Sequence, residues 1–550
     1  MPLSEVRPGM MATVHTVFEG SAVEEFPAEI VAVMENFLGP RQDLILARLK
    51  GPKAEFTGVV AGMSGSPVYV DGRLVGALSY RLGQFTKEPI AGVTPIEYML
   101  ALPRPVAAQS AAAPGASPAA LTPIEVPLVV AGVPAAVLRL YADELSRLGL
   151  HGMSAGGGRS GAAPQAGPPS SLKGGDPIAA TLVTGDIMVA ATGTVTLVDG
   201  DRVMAFGHPS FLRGAAQMPM ARAEVYLTLA SLANSVKLSH VLETIGTFNE
   251  SRLPGIAGEL GRSPEMLPVT VNVAHSGGPP MPYHYELARH RDLSPVLLGI
   301  VTAATLFNVP TFAAEMSYAL DGVIDIDGHD DVVLRDLYAG FTEQDSGAAA
   351  LAGDVQAFFS AVWQNRFAEA PVRSVNLTIS TVEKGRLSLV EGVYPSRRQV
   401  RPGETAEFRV LMRSYRGEPM TRTFTWRIPD GEPAGTLTVH VGGSNVLGAA
   451  ERAVLSRQAA QVDNIDQLIA LLNGLRGSDQ LYFKVTRRAA GAVVHSEIMP
   501  SLPPSVAATL STGRGTGEVT PLADTTIHEE SLGMDVIVVG GTTLQLNVVR

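Results

Sequence analysis

The chain has 550 residues, 46% hydrophobic and 17% charged, with a formal net charge of -11 and no cysteine. It is too long for one hydrophobic core and too apolar for a disordered chain, so several folded domains are expected. The cysteine count excludes disulfides, thiolate metal sites and a cysteine nucleophile, and no basic block or basic-aromatic patch supports nucleic-acid binding.

Residues 10 to 100 alternate as strands do, with strands expected at Met11 to Phe18, Ala28 to Met34 and Asp43 to Leu49. A glycine-rich turn follows, Gly62-Met63-Ser64-Gly65-Ser66-Pro67, then a hairpin about Asp71-Gly72 and a run from Ile90 to Met99. Many short strands separated by Gly and Pro predict a small β-barrel over 1–100. Residues 101–177 are linker-rich: 101–121 and 152–175 are dominated by Ala, Pro, Ser and Gly. Between them an ordered insert, 122–150, should hold a strand near Val126 to Val130 and a helix from Pro134 to Leu148.

Residues 178–276 read as a second β-rich unit. Its hairpin, Thr194 to Val198 and Arg202 to Phe206 around Asp199-Gly200, echoes the Asp71-Gly72 hairpin, as two related barrels would. A helix is expected at Leu227 to Leu242. Residues 277–370 read as α+β, with an apolar helix near Pro295 to Leu306, a hairpin at Asp327-Gly328 and a helix over 350–368. Residues 371–445 read as an immunoglobulin-like sandwich, with strands at Val375 to Ser380, Arg386 to Val393, Ala406 to Arg413 and Thr421 to Ile428. The last stretch, 446–550, opens with a helix capped by Asn464, with Gln467 three residues on, and is then β-rich. The fold class is mainly β and multidomain. The most apolar run, Val296 to Val309, is too short and polar to be an integral membrane segment.

Glycines on both sides of Ser64 let the turn display its hydroxyl, and the backbone amides of Gly62 and Ser64 can aim at one point as an oxyanion hole. Gly-x-Ser-Gly-x-Pro before a hairpin resembles the nucleophile turn of chymotrypsin-like serine proteases. It differs from the α/β-hydrolase elbow, which needs Gly at the position of Ser66. A serine nucleophile needs a base. His208, in a Gly-His-Pro turn at a strand end, is the first candidate, and His15, inside a strand, the second. The alternative for the turn is a glycine-rich structural loop with a bystander serine.

These residues, with Ile96-Glu97-Tyr98-Met99-Leu100, Gly193-Thr194-Val195-Thr196, Gly207-His208 and Ile245-Gly246 leading to Gly255-Ile256-Ala257-Gly258, resemble the SpoIVB-type serine peptidase family. The resemblance covers roughly 10–100 and 178–276. It implies two trypsin-like barrels, a protein or peptide substrate, Ser64 as nucleophile and His208 as base. The serine block precedes the histidine block here, as in a circular permutation of the family's sporulation member, and that protein's PDZ-like domain has no counterpart. Its triad acid lies shortly before the serine block, where Arg48-Leu49-Lys50-Gly51-Pro52 has no carboxylate. Asp43 and Glu55 flank that stretch, Asp186 and Glu250 lie in the histidine half, and Asp186, preceding a strand toward the His208 hairpin, is the expected acid.

No cofactor and no metal is expected: His284 and Glu286 share a face on a strand but His290 needs a turn to join them, and Asp325, Asp327, Asp330 and Asp331 miss the calcium-loop spacing. The reading is a serine endopeptidase, with self-cleavage at the two linkers an added expectation. A non-catalytic envelope or adhesion scaffold and an esterase are the alternatives. Export, through a leader this chain does not show, is expected from the resemblance. The oligomeric state is not legible.

Overall fold

The computed structural model describes residues 1–83, 86–102, 121–148, 150–153, 172–209, 214–275, 278–308, 315–341, 347–368, 370–444, 462–494, 497–499, 503, 505–506 and 519–550. The linkers at 101–121 and 152–175, where self-cleavage was expected, lie almost wholly outside the described residues. The chain forms two compact units, residues 1–269 with 283–308 and residues 270–282 with 309–550.

The first unit is built on two closed barrels. The first contains β1 (Met11–Thr16), β2 (Glu24–Gly39), β3 (Gln42–Leu49), β4 (Pro67–Val70), β5 (Arg73–Leu82) and β6 (Ile90–Pro95). Helix α1 (Pro52–Thr57) joins β3 to the serine turn, and α2 (Ile96–Leu100) follows β6. The ring runs β1-β2-β3-β6-β5-β4 and closes on β1, every pairing antiparallel. Inward positions such as Val14, Ile30, Ile45, Val68, Leu78 and Val93 form its apolar core, the alternation that a half-buried strand requires. The β4–β5 hairpin turns on Asp71 and Gly72, both at positive φ, as its sequence demands.

Three strands follow: β7 (Leu121–Pro123), β8 (Val126–Ala131) and β9 (Leu150–Met153). The expected helix over 134–148 is two short helices, α3 (Ala135–Leu140) and α4 (Ala142–Arg147). The second barrel contains β10 (Pro177–Gly185), β11 (Met188–Asp199), β12 (Arg202–Ala205), β13 (Gly214–Leu229), β14 (Val236–Arg252) and β15 (Gly255–Leu260). Its ring, β10-β11-β12-β15-β14-β13 closing on β10, repeats the order of the first.

The helix expected at Leu227 to Leu242 does not exist: these residues end β13 and begin β14, paired antiparallel from Val225↔Ser239 to Leu229↔Val236. The period-2 pattern is inverted there. Leu227 and Leu229 face solvent while Lys237 and Ser239 are buried, so the apolar positions mimic a helical stripe. The expected helix near Pro295 to Leu306 is present as α5 (Leu293–Phe307), buried along almost its whole length.

The second unit begins its main run with a hairpin, Met316–Ile326 and Val332–Gly340, whose first strand also pairs with Val372–Val382. Arg373 pairs with Asp325 and Asp327 beside the hairpin turn. Two sheets then share one core of Phe408, Val410, Phe424, Trp426, Val439, Phe483 and Leu546. Their strands run from 387 to 548, on both sides of the 445 boundary read from the sequence. The capped helix is in place: Asn464 Oδ1 accepts from the Gln467 amide at 2.9 Å. Among the described residues no helix is long and apolar enough to cross a membrane.

Candidate active site

Ser64 lies in the turn between α1 and β4, leading into the fourth strand of the first barrel. Gly62 and Gly65 flank it at φ +94° and +95°, a region that favours glycine. At Gly65 a second constraint applies. A Cβ there would sit 2.0 Å from the Thr194 carbonyl oxygen and 2.4 Å from the Phe206 nitrogen, so no other residue fits. The turn is held from both barrels. The Gly65 amide donates to Leu78 O at 2.8 Å within its own barrel. From β11, the Thr194 amide donates to Ser64 O at 2.9 Å, the Thr194 hydroxyl to Gly62 O at 3.0 Å and the Thr196 hydroxyl to Gly65 O at 2.7 Å. The Gly193-Thr194-Val195-Thr196 run is thus the clamp on the serine turn.

His208 leaves the third strand of the second barrel through a γ-turn. The Gly207 amide bonds back to Ala205 O at 2.9 Å, with Phe206 at φ +68°. A bulky residue at that angle stores on the order of 1–3 kcal/mol, and its ring is fully buried against Gly193 and Phe248. The Thr94 hydroxyl of the first barrel donates to Gly207 O at 2.6 Å, and a Cβ on Gly207 would meet Ala77 at 2.9 Å. The serine and histidine turns therefore meet where the two barrels pack backbone to backbone.

Both side chains are buried, Ser64 at 0% and His208 at 2% exposure. Ser64 Oγ and His208 Nε2 are each buried with no hydrogen-bond partner among the described residues, so they do not bond each other in this state. His208 Nδ1 lies 3.0 Å from Pro209 O. A carbonyl only accepts, so Nδ1 carries the proton and Nε2 keeps its lone pair, the tautomer a general base needs. Burial pushes the imidazole down to about 4, against the lift from the Pro209 and Ile124 backbone, so it is neutral at pH 7.

The structure does not bring the expected acid to this pair. Asp186 sits exposed in the β10–β11 turn, and its carboxylate accepts from the His284 amide at 2.7 Å; it has no bond to His208. Glu250 is buried and paired with Arg252. Asp43 accepts from the Asn36 amide, and Glu55 from the Gly51 amide. His15 lies against Tyr69 and faces Glu25 at 3.5 Å. Of the two expected oxyanion donors, the Gly62 amide already donates to Glu125 O at 3.2 Å. Among the described residues no three His, Cys, Asp or Glu side chains are grouped to hold a metal ion.

Sequence reasoning missed Lys237. It is 3% exposed, its stem lies against Gly62, and its Nζ donates to Thr16 Oγ1 at 2.7 Å, which also accepts from Ser66 Oγ at 2.9 Å. Burial lowers it to about 7. The signal was a lysine inside an alternating strand, at an inward position of a segment misread as helix.

Residues 2–100 match the family SpoIVB peptidase S55. That stretch, under a fifth of the chain, is similar to the SpoIVB peptidase family. It contains the whole first barrel and Ser64, whereas the barrel bearing His208 lies outside it. No curated protein and no solved structure matches the chain.

Proposed function

We propose that this chain is a serine endopeptidase of the SpoIVB type, with Ser64 as nucleophile and His208 as base, working between two trypsin-like barrels met in permuted order. The observation that carries the reading is the pair of bare atoms, Ser64 Oγ and His208 Nε2, on turns that the two barrels hold against each other. A buried polar atom without a partner costs about 1–3 kcal/mol, and such groups call for a reason, catalysis among them. Ser64 Oγ attacks the peptide carbonyl, and its proton passes to His208 Nε2 and then to the leaving amine. Water hydrolyses the acyl-enzyme by the same route in reverse roles. The turn amides stabilise the oxyanion once Gly62 is freed from Glu125. The Pro209 carbonyl supplies the orientation of the ring that a triad acid otherwise gives, without its charge, so a slow enzyme is expected.

Fluorophosphonate labelling of the purified chain, read by mass spectrometry, tests this. Ser64 should be modified, and Ser64→Ala and His208→Ala should each abolish the label. The engaged Gly62 amide and the absence of a carboxylate on His208 among the described residues favour a second reading, a binding scaffold that retains the peptidase architecture. No labelling under conditions where trypsin reacts, in both the wild type and a chain with the site uncovered as described below, would select it.

A further inference from the structure

What covers Ser64 and His208 is the chain itself. Beyond Leu78, β5 has a free edge, since β4 pairs only as far as Ala77. Residues 121–123 take that edge as an antiparallel strand, Tyr80↔Pro123, Arg81↔Thr122 and Leu82↔Leu121. The Ile124 amide then donates to Ser79 O at 2.9 Å, one residue beyond Leu78, which holds the serine turn. The Ile124 side chain, 1% exposed, is seated in the apolar core of the first barrel, and its backbone reaches the His208 ring. Next, Glu125 O takes the Gly62 amide at 3.2 Å, while its carboxylate pairs with Arg81 at 2.9 Å and with Asn234. The strand leaves as β8, paired to β11 of the other barrel.

An extended segment that adds to a sheet edge, seats one side chain in a pocket and gives a carbonyl to an oxyanion donor is bound as peptides are bound by strand addition. A purely structural strand has no need of the Gly62 amide or of contact with the base. We infer that residues 121–125 fill the peptide groove of this site as a built-in pseudosubstrate, that substrates run along β5 in the same extended path, and that the Ile124 seat selects an aliphatic side chain. This rests on the peptidase reading for its catalytic part alone.

Two variants uncover the groove: Ile124→Asp, which removes the apolar anchor, and the milder Glu125→Ala, which removes the Arg81 pair. Both are checked for fold by circular dichroism. The probes are fluorophosphonate labelling at Ser64 and binding of a fluorescein-labelled peptide with the sequence of residues 119–128. Labelling at least tenfold faster in Ile124→Asp and severalfold faster in Glu125→Ala is expected. The peptide should bind the variants and not the wild type, and at least tenfold more weakly when its own isoleucine is aspartate. Wild-type labelling rates with no peptide bound overturn the inference and leave the peptidase reading standing. Peptide binding with no label at Ser64 keeps the groove and removes the peptidase reading; neither signal in any form overturns both. Faster labelling without peptide binding overturns the shared substrate path.

Discussion

In the first barrel the turn bearing Ser64 enters the fourth strand; in the second the turn bearing His208 leaves the third. The rings have the same order, yet the hairpins that echo each other in sequence are not equivalent. Asp71-Gly72 joins strands four and five of its barrel, whereas Asp199-Gly200 begins the turn joining strands two and three. The barrels are thus alike in topology, and in each the hairpin glycine, Gly72 or Gly200, has open space while the glycine of the buried turn, Gly65 or Gly207, meets the other barrel. Gly72 and Gly65 show the contrast. Both have positive φ, but a Cβ on Gly72 meets nothing within 4 Å, while one on Gly65 strikes the backbone of the other barrel.

The widest test of that contrast is Gly65→Ala against Gly72→Ala. The first should cost more than about 3 kcal/mol or prevent folding, because backbone atoms cannot give way. The second should cost about 1 kcal/mol, from conformation alone. Urea unfolding of both chains measures the difference, and equal losses would mean that the barrels do not meet at Gly65.

The next effect belongs to the histidine barrel. His208 titrates at about 4 in the folded chain against 6.5 unfolded, so its stability contribution is whole above pH 6.5 and is lost as pH falls toward 4. That loss is roughly 3 kcal/mol. His208→Gln should remove that much of the stability loss across this window in denaturant titrations.

Lys237 has the same sense in a higher pH window, and the net effect of replacing it at pH 7 is smaller. Its folded value of about 7 lies below the ordinary 10.5. Folding therefore strengthens as pH rises from 7 to 10.5, and at pH 7 nearly the full penalty is present. Lys237→Met should raise stability at pH 7 by about 2 kcal/mol and remove that rise. If labelling of Ser64 falls in the same variant, the ammonium also serves the serine turn. Unchanged stability at pH 7 would contradict its burial.

The alternating strands of residues 11–49, the Asp71-Gly72 turn, the α5 helix and the Asn464 cap were legible because each is decided by local pattern or local hydrogen bonding. Ser64 and His208 could be singled out since glycine spacing and turn position are local too. What was not legible is what depends on partners far along the chain. Lys237 and Ser239 point inward because a barrel closes over them, which inverts the pattern from which a helix was read. Asp186 preceded the right strand but its carboxylate is taken by the His284 backbone, 98 residues away. The strand over Leu121–Pro123 spans the boundary between a stretch read as linker and the ordered insert, and no composition rule indicates that it lies beside Ser64 and His208.

The clamp of Thr194 and Thr196 on the serine turn sets an order of events. As the chain is made, Ser64 and all six strands of its barrel emerge well before β11. Domains synthesised first fold first. Until residue 196 is available, the turn lacks three of the bonds that fix its carbonyls. The serine turn is therefore shaped by a partner made later, and it is completed only once β11 and the His208 turn have emerged.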